Sequence, residues 1–108
     1  MKMAAINPCL RLVHIVCFKF KPDTPASVHQ SMAADAEGLT SSIKTIQFTL
    51  FFRPSFTEER TKGFTHVLHS QFNNRADLET YAKHPLHLEF VAKYKPHFED
   101  VMAFDIEV

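Results

Sequence analysis

The chain has 108 residues, which points to a single domain. Basic and acidic residues number 12 each, and this zero formal charge argues against a nucleic-acid binder or an anionic-membrane binder, since both need a basic excess. No apolar run approaches the roughly 20 residues of a membrane-spanning helix, and the N-terminus shows no signal peptide. With only two cysteines, a disulfide framework is not expected, and we predict a cytoplasmic protein with no membrane partner.

The first two predicted elements are a strand and a helix. Leu12–Phe20 is mostly β-branched or aromatic, which favours a strand. Thr24 and Pro25 then match an N-cap and a first helical position, and Gly38 matches the residue just beyond a helix end. The sequence therefore predicts a helix that starts at Pro25 and ends before Gly38.

Two further strands are predicted in the middle of the chain. Ile43–Phe52 and Phe64–Phe72 are apolar runs with the alternation typical of strands. The polar stretch Arg53–Lys62 lies between them and is typical of a loop. We therefore expect these two strands to be neighbours in one sheet.

Two helices separated by a sharp bend are predicted next. The pair Asn73-Asn74 can cap a helix over Arg75–Lys83. The residue before Pro85 is disfavoured in helical geometry, whereas Pro85 itself suits the first turn of a new helix. Pro96 then ends this second helix.

A last strand is predicted over Glu99–Val108, which completes the order β-α-β-β-α-α-β. This order is typical of a ferredoxin-like α+β domain, in which helices cover one face of a four-stranded antiparallel sheet. We assign residues 1–12 to an N-terminal lead-in and residues 13–108 to this domain.

The predicted sheet has apolar residues on both faces of strands one, three and four. Because helices cover only one face, the other face needs a second cover, and a second copy of the sheet is the simplest one. We therefore predict a homodimer whose two sheets face each other and form a dimeric α/β barrel. The residues that need this cover are Ile15, Cys17, Val67, Met102, Phe104 and Ile106.

The bend at Pro85 brings two groups with acid–base chemistry close together in sequence. Neutral His87 can act as a base, since its ordinary pKa of ~6.5 leaves it largely deprotonated at pH 7. Tyr81 can donate its phenol proton to a carbonyl oxygen. The corner lets both side chains point toward an apolar sheet face, which predicts a small-molecule site. That face bears Val16, Phe18, Leu68, Val101 and Ala103.

Four segments of the chain resemble one protein family. They are HIVCFKFK at 14–21, GFTHVLHSQF at 63–72, YAKHPLH at 81–87 and AFDIEV at 103–108. In this order and spacing they resemble the stress-responsive dimeric α/β-barrel (Dabb) family, and in particular plant polyketide cyclases of the olivetolic acid cyclase type. The resemblance implies a cofactor-independent, lyase-like enzyme of secondary metabolism that cyclises a reactive polyketide-like intermediate by aldol chemistry. It also implies that Tyr81 and His87 are catalytic and that the partner molecule is a small apolar or aromatic ligand.

Ten further residues are predicted to bind the ligand. Three are histidines that the resemblance brings to the site, and the others belong to the faces that surround it. The ten are His14, Val16, Phe18, Met32, His66, Leu68, His84, Phe90, Phe98 and Val101. The first helix carries small or flexible residues where the similar cyclases carry bulky aromatics, so we expect a pocket of different shape and a different substrate.

Two alternatives compete with the enzyme. The first is a non-catalytic dimeric stress-response or ligand-binding protein, favoured by the 11 phenylalanines, some of which could fill the pocket. The candidates for filling it are Phe48, Phe51, Phe52 and Phe98. The second is a metal site at His84 and His87, which we disfavour because Pro85 interrupts the helix that would align them and no cysteine or carboxylate completes the ligand set.

Overall fold

The structure is a computed structural model that describes residues 12–51 and 54–108. Its elements are β1 (Leu12–Phe20), α1 (Ala26–Ser42), β2 (Phe48–Phe51), β3 (His66–Phe72), α2 (Arg75–Lys83), α3 (Pro85–Tyr94) and β4 (Phe98–Glu107), with 3₁₀ turns at Glu58–Arg60 and Lys95–His97. The predicted order β-α-β-β-α-α-β is therefore confirmed. The lead-in expected before Leu12, and the residues Phe52 and Arg53 at the junction of strand and loop, lie outside the described residues.

The four strands form one antiparallel sheet in the order β2-β3-β1-β4. Phe18 on the central strand β1 lies opposite His66 on β3 and Val101 on β4. Farther along β1, His14 lies opposite Asp105 on β4. Because facing residues share a side of the sheet, this register places all five side chains on the same face. The α+β ferredoxin-like prediction is confirmed.

The core lies between this face and the helices. Its side chains come from every helix and from the two central strands, so burial of apolar surface ties the two layers together. The buried apolar residues are Leu12, Phe18, Met32, Ala36, Leu39, Ile43, Ile46, Leu68, Phe72, Tyr81, Phe90 and Tyr94. Among the described residues, no helix has the length and apolarity needed to cross a membrane.

The helices do not cover the opposite face of the sheet, as far as residues 12–51 and 54–108 show. Met102, Phe104 and Ile106 on β4 are 40%, 48% and 48% exposed. An apolar patch of this kind is typical of a protein–protein interface.

The start and end of α1 differ from the prediction. The N-cap is Pro25 rather than Thr24, and no side chain caps the helix there. At the other end α1 runs through Gly38 to Ser42, because Leu39 beyond the glycine packs into the core and Ile43 caps the helix. Tertiary burial thus overrides the local stop signal of a glycine.

Strands β2 and β3 are shorter than predicted. Ile43, expected to open β2, caps α1 instead and is 2% exposed, and Ile46 is also buried. Among the described residues, β2 pairs with β3 over Phe48–Phe51. Both isoleucines fill the core below a turn. A short apolar run that fills the core in this way has the same sequence pattern as a strand, so the pattern alone cannot distinguish the two.

The two glycines of the chain give a matched test of these backbone environments. A Cβ added at Gly38 meets nothing within 4 Å, so Gly38→Ala should stabilise the helix by about 0.5–1 kcal/mol. Gly63 has a φ of +89°, and its Cβ would lie 2.7 Å from Cε of Lys19. Gly63→Ala should therefore be destabilising, and urea unfolding of both variants measures the two signs. A loss of stability in Gly38→Ala would contradict the helical environment described here.

Candidate functional site

A cavity of about 290 Å³ lies between α3 and the helix-covered face of the sheet. Its walls are mostly apolar, and a few polar groups converge on it, which is the usual make-up of a small-molecule site. The lining residues are His14, Val16, Phe18, Leu68, Tyr81, His87, Phe90, Val91, Lys95, Phe98 and Val101.

The corner between α2 and α3 places Tyr81 and His87 in this cavity. His84 stands at the corner with extended backbone angles (φ −64°, ψ 136°), and its Nδ1 accepts a hydrogen bond of 3.1 Å from the backbone N–H of Leu86. His84 therefore acts as the N-cap of α3, one residue before Pro85. Across this corner the rings of Tyr81 and His87 approach to 4.3 Å between centroids.

His87 has the protonation state that a base requires. Its Nδ1 lies 3.0 Å from the carbonyl oxygen of Ala82, and because a carbonyl only accepts, Nδ1 is the donor. The neutral ring then has Nε2 unprotonated. Burial lowers the pKa of His87 from its ordinary value of 6.5; the bond to Ala82 opposes this shift, and the nearby His14 and His84 add to it. His87 is therefore neutral at pH 7 with a lone pair on Nε2.

Tyr81, in contrast to His87, is suited to donate a proton. Its side chain is only 3% exposed, and burial raises the pKa of its phenol above the ordinary value of 10.0. Within residues 12–51 and 54–108, no side chain or backbone group forms a hydrogen bond with the Tyr81 hydroxyl. The phenol thus keeps its proton at neutral pH and can donate it to a ligand.

A third polar group, His14, is held in place by Asp105. The Nδ1 atom of His14 forms a hydrogen bond with a carboxylate oxygen of Asp105, its register neighbour on β4. The ring of His14 lies 6.3 Å from that of Tyr81 between centroids. Asp105 was not predicted as a site residue, although its alternation with Val101 and Ala103 in sequence placed a carboxylate on an otherwise apolar face.

Most of the predicted site residues meet in the cavity. Both proposed catalytic residues line it, together with seven of the ten predicted ligand-binding residues: His14, Val16, Phe18, Leu68, Phe90, Phe98 and Val101. Two lining residues were missed, Val91 and Lys95. Val91 shares the periodic face of α3 with Phe90, so periodicity could have identified it, whereas Lys95 follows the helix and gave no signal.

Three predicted ligand-binding residues lie elsewhere. Met32 is fully buried in the core under α1, and His84 caps α3 as described. His66 lies toward α1, where its ring stacks on that of His29 at 4.6 Å and 5°, and both line a separate cavity of about 520 Å³. A histidine on the correct face of a strand thus reaches a different cavity, although Leu68, two residues later on the same strand, lines the first one.

Of the four phenylalanines considered as pocket fillers, the three that the structure describes do not close the cavity. Phe48 contacts His69 on the other face of the sheet, and Phe51 packs beside Phe18 and His66. Phe98 forms part of the wall and packs against Phe18 in a tilted arrangement, with 4.9 Å between ring centroids, while Phe52 lies outside the described residues. The space between these rings and His87 is open.

The described residues include no group of three His, Cys, Asp or Glu side chains placed to hold a metal ion. In the pair considered for a metal, the Nδ1 atoms of His84 and His87 are each bonded to a backbone group instead. His87, Tyr81 and His14 line the cavity, and each is a group that can transfer a proton.

Comparison with known proteins identifies similar sequences. The family described as Stress responsive A/B Barrel Domain (Dabb) matches residues 12–108. A stress-response A/B barrel domain-containing protein of Arabidopsis thaliana is 31% identical over 105 residues, which are 95% of this chain and 39% of that relative. The chain thus spans about two-fifths of the length of this relative. Olivetolic acid cyclase of Cannabis sativa is 21% identical over 92 residues, covering 85% of this chain and 91% of the cyclase.

Solved structures with the same fold are also similar. A hydroxynitrile lyase from Passiflora edulis matches with a TM-score of 0.84 and 22% identity, over 94% of this chain and 95% of the lyase. A dimeric protein of unknown function with a ferredoxin-like fold, from Bacteroides fragilis, matches with a TM-score of 0.78 and 26% identity, over 90% and 95% of the two chains.

The buried His66 should make stability depend on pH. Burial is the main cause that lowers the pKa of His66 from 6.5 to about 4, and the neighbouring His29 makes a smaller contribution. The unfolded chain therefore takes up this proton near pH 6.5 and the folded chain only near pH 4. The stability that neutral His66 contributes is present above pH 6.5 and is lost as the pH falls to about 4, up to roughly 3 kcal/mol.

This dependence can be measured with one substitution. His66→Gln removes the titrating group and keeps a polar side chain, so the free energy of unfolding should fall less between pH 7 and pH 4 than it does in the unsubstituted protein. Urea unfolding at both pH values gives the comparison. Equal losses in the two proteins would contradict a neutral, buried His66.

Proposed function

The chain belongs to the Stress responsive A/B Barrel Domain family, and on this basis we propose that it is a cofactor-independent enzyme of the polyketide cyclase type. It would act on a small carbonyl compound with an apolar part by acid–base chemistry, with His87 as base and Tyr81 as proton donor. The observation that carries this proposal is the approach of the two rings to 4.3 Å inside an apolar cavity. Groups of this kind have complementary roles in carbon–carbon bond formation next to a carbonyl.

In the proposed reaction, Nε2 of His87 removes a proton from a carbon that lies between two carbonyl groups. The resulting carbanion attacks a second carbonyl carbon of the same molecule and forms the new carbon–carbon bond. The oxygen of that carbonyl gains negative charge and takes the phenol proton of Tyr81. The proton held by His87 then returns to Tyr81 directly or through the product, so the enzyme ends in its starting state.

His14 and Asp105 have a positioning role in this proposal. A carboxylate bound to Nδ1 fixes the orientation of the His14 ring and directs its other nitrogen, Nε2, away from Asp105. His14 lines the cavity beside Tyr81, so its Nε2 can bind a polar group of the substrate.

The names of two similar proteins support an enzyme rather than a scaffold. One is a cyclase and the other a hydroxynitrile lyase, and each covers more than four-fifths of this chain. Other similar proteins carry only a stress-response or unknown-function description, which leaves a dimeric ligand-binding protein as the second candidate. The open cavity favours ligand binding in both cases.

Turnover of a linear β-polyketo thioester tests the enzyme. We expect His87→Ala to lower the rate of cyclised product formation by about 10²–10⁴-fold, and Tyr81→Phe by about 10²–10³-fold, measured by liquid chromatography and mass spectrometry. The matched control is His84→Asn, which removes the other imidazole of the corner but retains a side chain that can cap α3. Unchanged turnover in His87→Ala, with a normal fold, would exclude the proposed mechanism.

We also propose that two copies associate through the outer face of the sheet. Similar solved proteins are described as dimeric. In this chain β4 has side chains between 40% and 48% exposed on that face, and Cys17 and Val67 line an apolar depression beside it. A second sheet packed on this surface would remove the exposed apolar area from water.

A charge on the outer face should separate the copies. Val67→Asp places a carboxylate in the centre of the proposed interface, and we expect sedimentation velocity at micromolar concentration to show monomer or unfolded chain. Leu88→Asp is the control, because Leu88 is 55% exposed on α3, away from this face, and the substitution should leave the dimer intact. A stable monomer in the unsubstituted protein would refute the interface.

A further inference from the structure

The cavity is elongated and its two ends differ in chemistry. His14, Tyr81 and His87 surround one end. At the other end the tilted rings of Phe18 and Phe98 pack against each other, with 4.9 Å between centroids. His14 and Phe18 are four residues apart on a strand, which separates them by about 13 Å.

Lys95 lies at the phenylalanine end. It follows the last residue of α3, and its backbone N–H bonds to the carbonyl of Val91. Lys95 follows His87 by eight positions, which corresponds to about 12 Å along the helix axis. The reacting groups and the lysine therefore stand at opposite ends of the cavity, and both line it.

Lys95 contributes a cationic group to a wall that is otherwise neutral. Within the described part of the chain, no carboxylate forms an ion pair with its ammonium; Glu99 pairs with Lys19 at 3.3 Å, and Asp35 pairs with Lys93 at 2.8 Å. An unpaired cation beside an apolar wall is suited to an anion that carries an apolar chain.

The entrance of the cavity supports such a ligand. Val91 on α3 and Val101 on β4 both line the cavity, and they are 37% and 42% exposed. The cavity therefore opens through the gap between these two elements. Lys95 lies one helical turn after Val91, so a charged group could remain hydrated beside it while an apolar chain enters.

We propose that the ligand of this site is an amphipathic anion, which rests on the proposed function and specifies its substrate class. A carboxylate or phosphate of the ligand binds Lys95 at the entrance, and an apolar chain lies against Phe18 and Phe98. The carbonyl-bearing end reaches His87, about 12 Å away along the helix axis. Lys95 is then a specificity-determining residue that selects charged over neutral chains of equal length.

Binding of three probes with one common chain tests this inference. Decanoate, decyl phosphate and 1-decanol are titrated below their micelle-forming concentrations by isothermal calorimetry. The proteins are the unsubstituted chain, Lys95→Met and, as a matched control for net charge, Lys44→Met. Lys44 is exposed and lies outside the cavity.

We expect Lys95→Met to weaken the binding of at least one anionic probe by about three- to tenfold and to leave 1-decanol unchanged. If Lys95→Met weakens the binding of decanoate alone, the natural ligand carries a free carboxylate. If it weakens the binding of decyl phosphate more, the ligand is attached to a phosphate-bearing carrier. Added salt should reduce the difference between Lys95→Met and the unsubstituted protein. Lys44→Met should bind all three probes as the unsubstituted protein does.

Three outcomes would overturn the inference in distinguishable ways. If Lys95→Met binds the anions as tightly as the unsubstituted protein does, Lys95 has no role in binding them, while the cyclase assay could still succeed. If Lys44→Met weakens the binding of the anions as much as Lys95→Met does, the effect comes from the net charge of the protein and not from Lys95. Failure of all three probes to bind the unsubstituted protein would remove both this inference and the cavity as a ligand site.

Discussion

The geometry of the candidate site depends on a single backbone corner. His84 has extended backbone angles because the following proline disfavours the helical conformation, and its imidazole accepts the first free N–H of α3. Without this corner, α2 and α3 would not present Tyr81 and His87 to the same cavity. The motif that carries the proposed catalytic residues is thus also a capping motif: His84 caps α3, and His87 is the proposed base.

Burial then gives the two functional groups opposite protonation behaviour. Desolvation disfavours the charged form of each group, so it lowers the pKa of His87 and raises that of Tyr81. One apolar environment therefore supplies a neutral base and a neutral acid at the same pH. The hydrogen bond from Nδ1 of His87 to the carbonyl oxygen of Ala82 fixes the tautomer of the neutral ring, because it leaves the lone pair on Nε2. No cationic partner is needed to activate either group.

Sequence reasoning was most accurate where the signal is local. The corner at Pro85 and the cap at Asn74 follow from the conformational preferences of single residues, and both are confirmed. The predictions failed where distant contacts decide the outcome. Gly38 lies inside α1 because of core burial beyond it, and Asp105 reaches His14 across 91 residues of sequence through strand pairing. Periodicity predicts on which face of a helix or strand a residue lies, but not which residue of another element it contacts there.

Strand β4 links the candidate site to the proposed dimer. On its helix-covered face Val101 lines the cavity and Asp105 holds His14, yet every residue from Glu99 to Glu107 is exposed in the single chain. Among the residues that the structure describes, this strand lies at the edge of the sheet and pairs only with β1. In the proposed dimer, a second sheet would bury the outer side of β4 and so reduce its freedom to move away from β1. The contact between copies and the orientation of His14 would then be stabilised by the same strand, although they lie on opposite faces of the sheet.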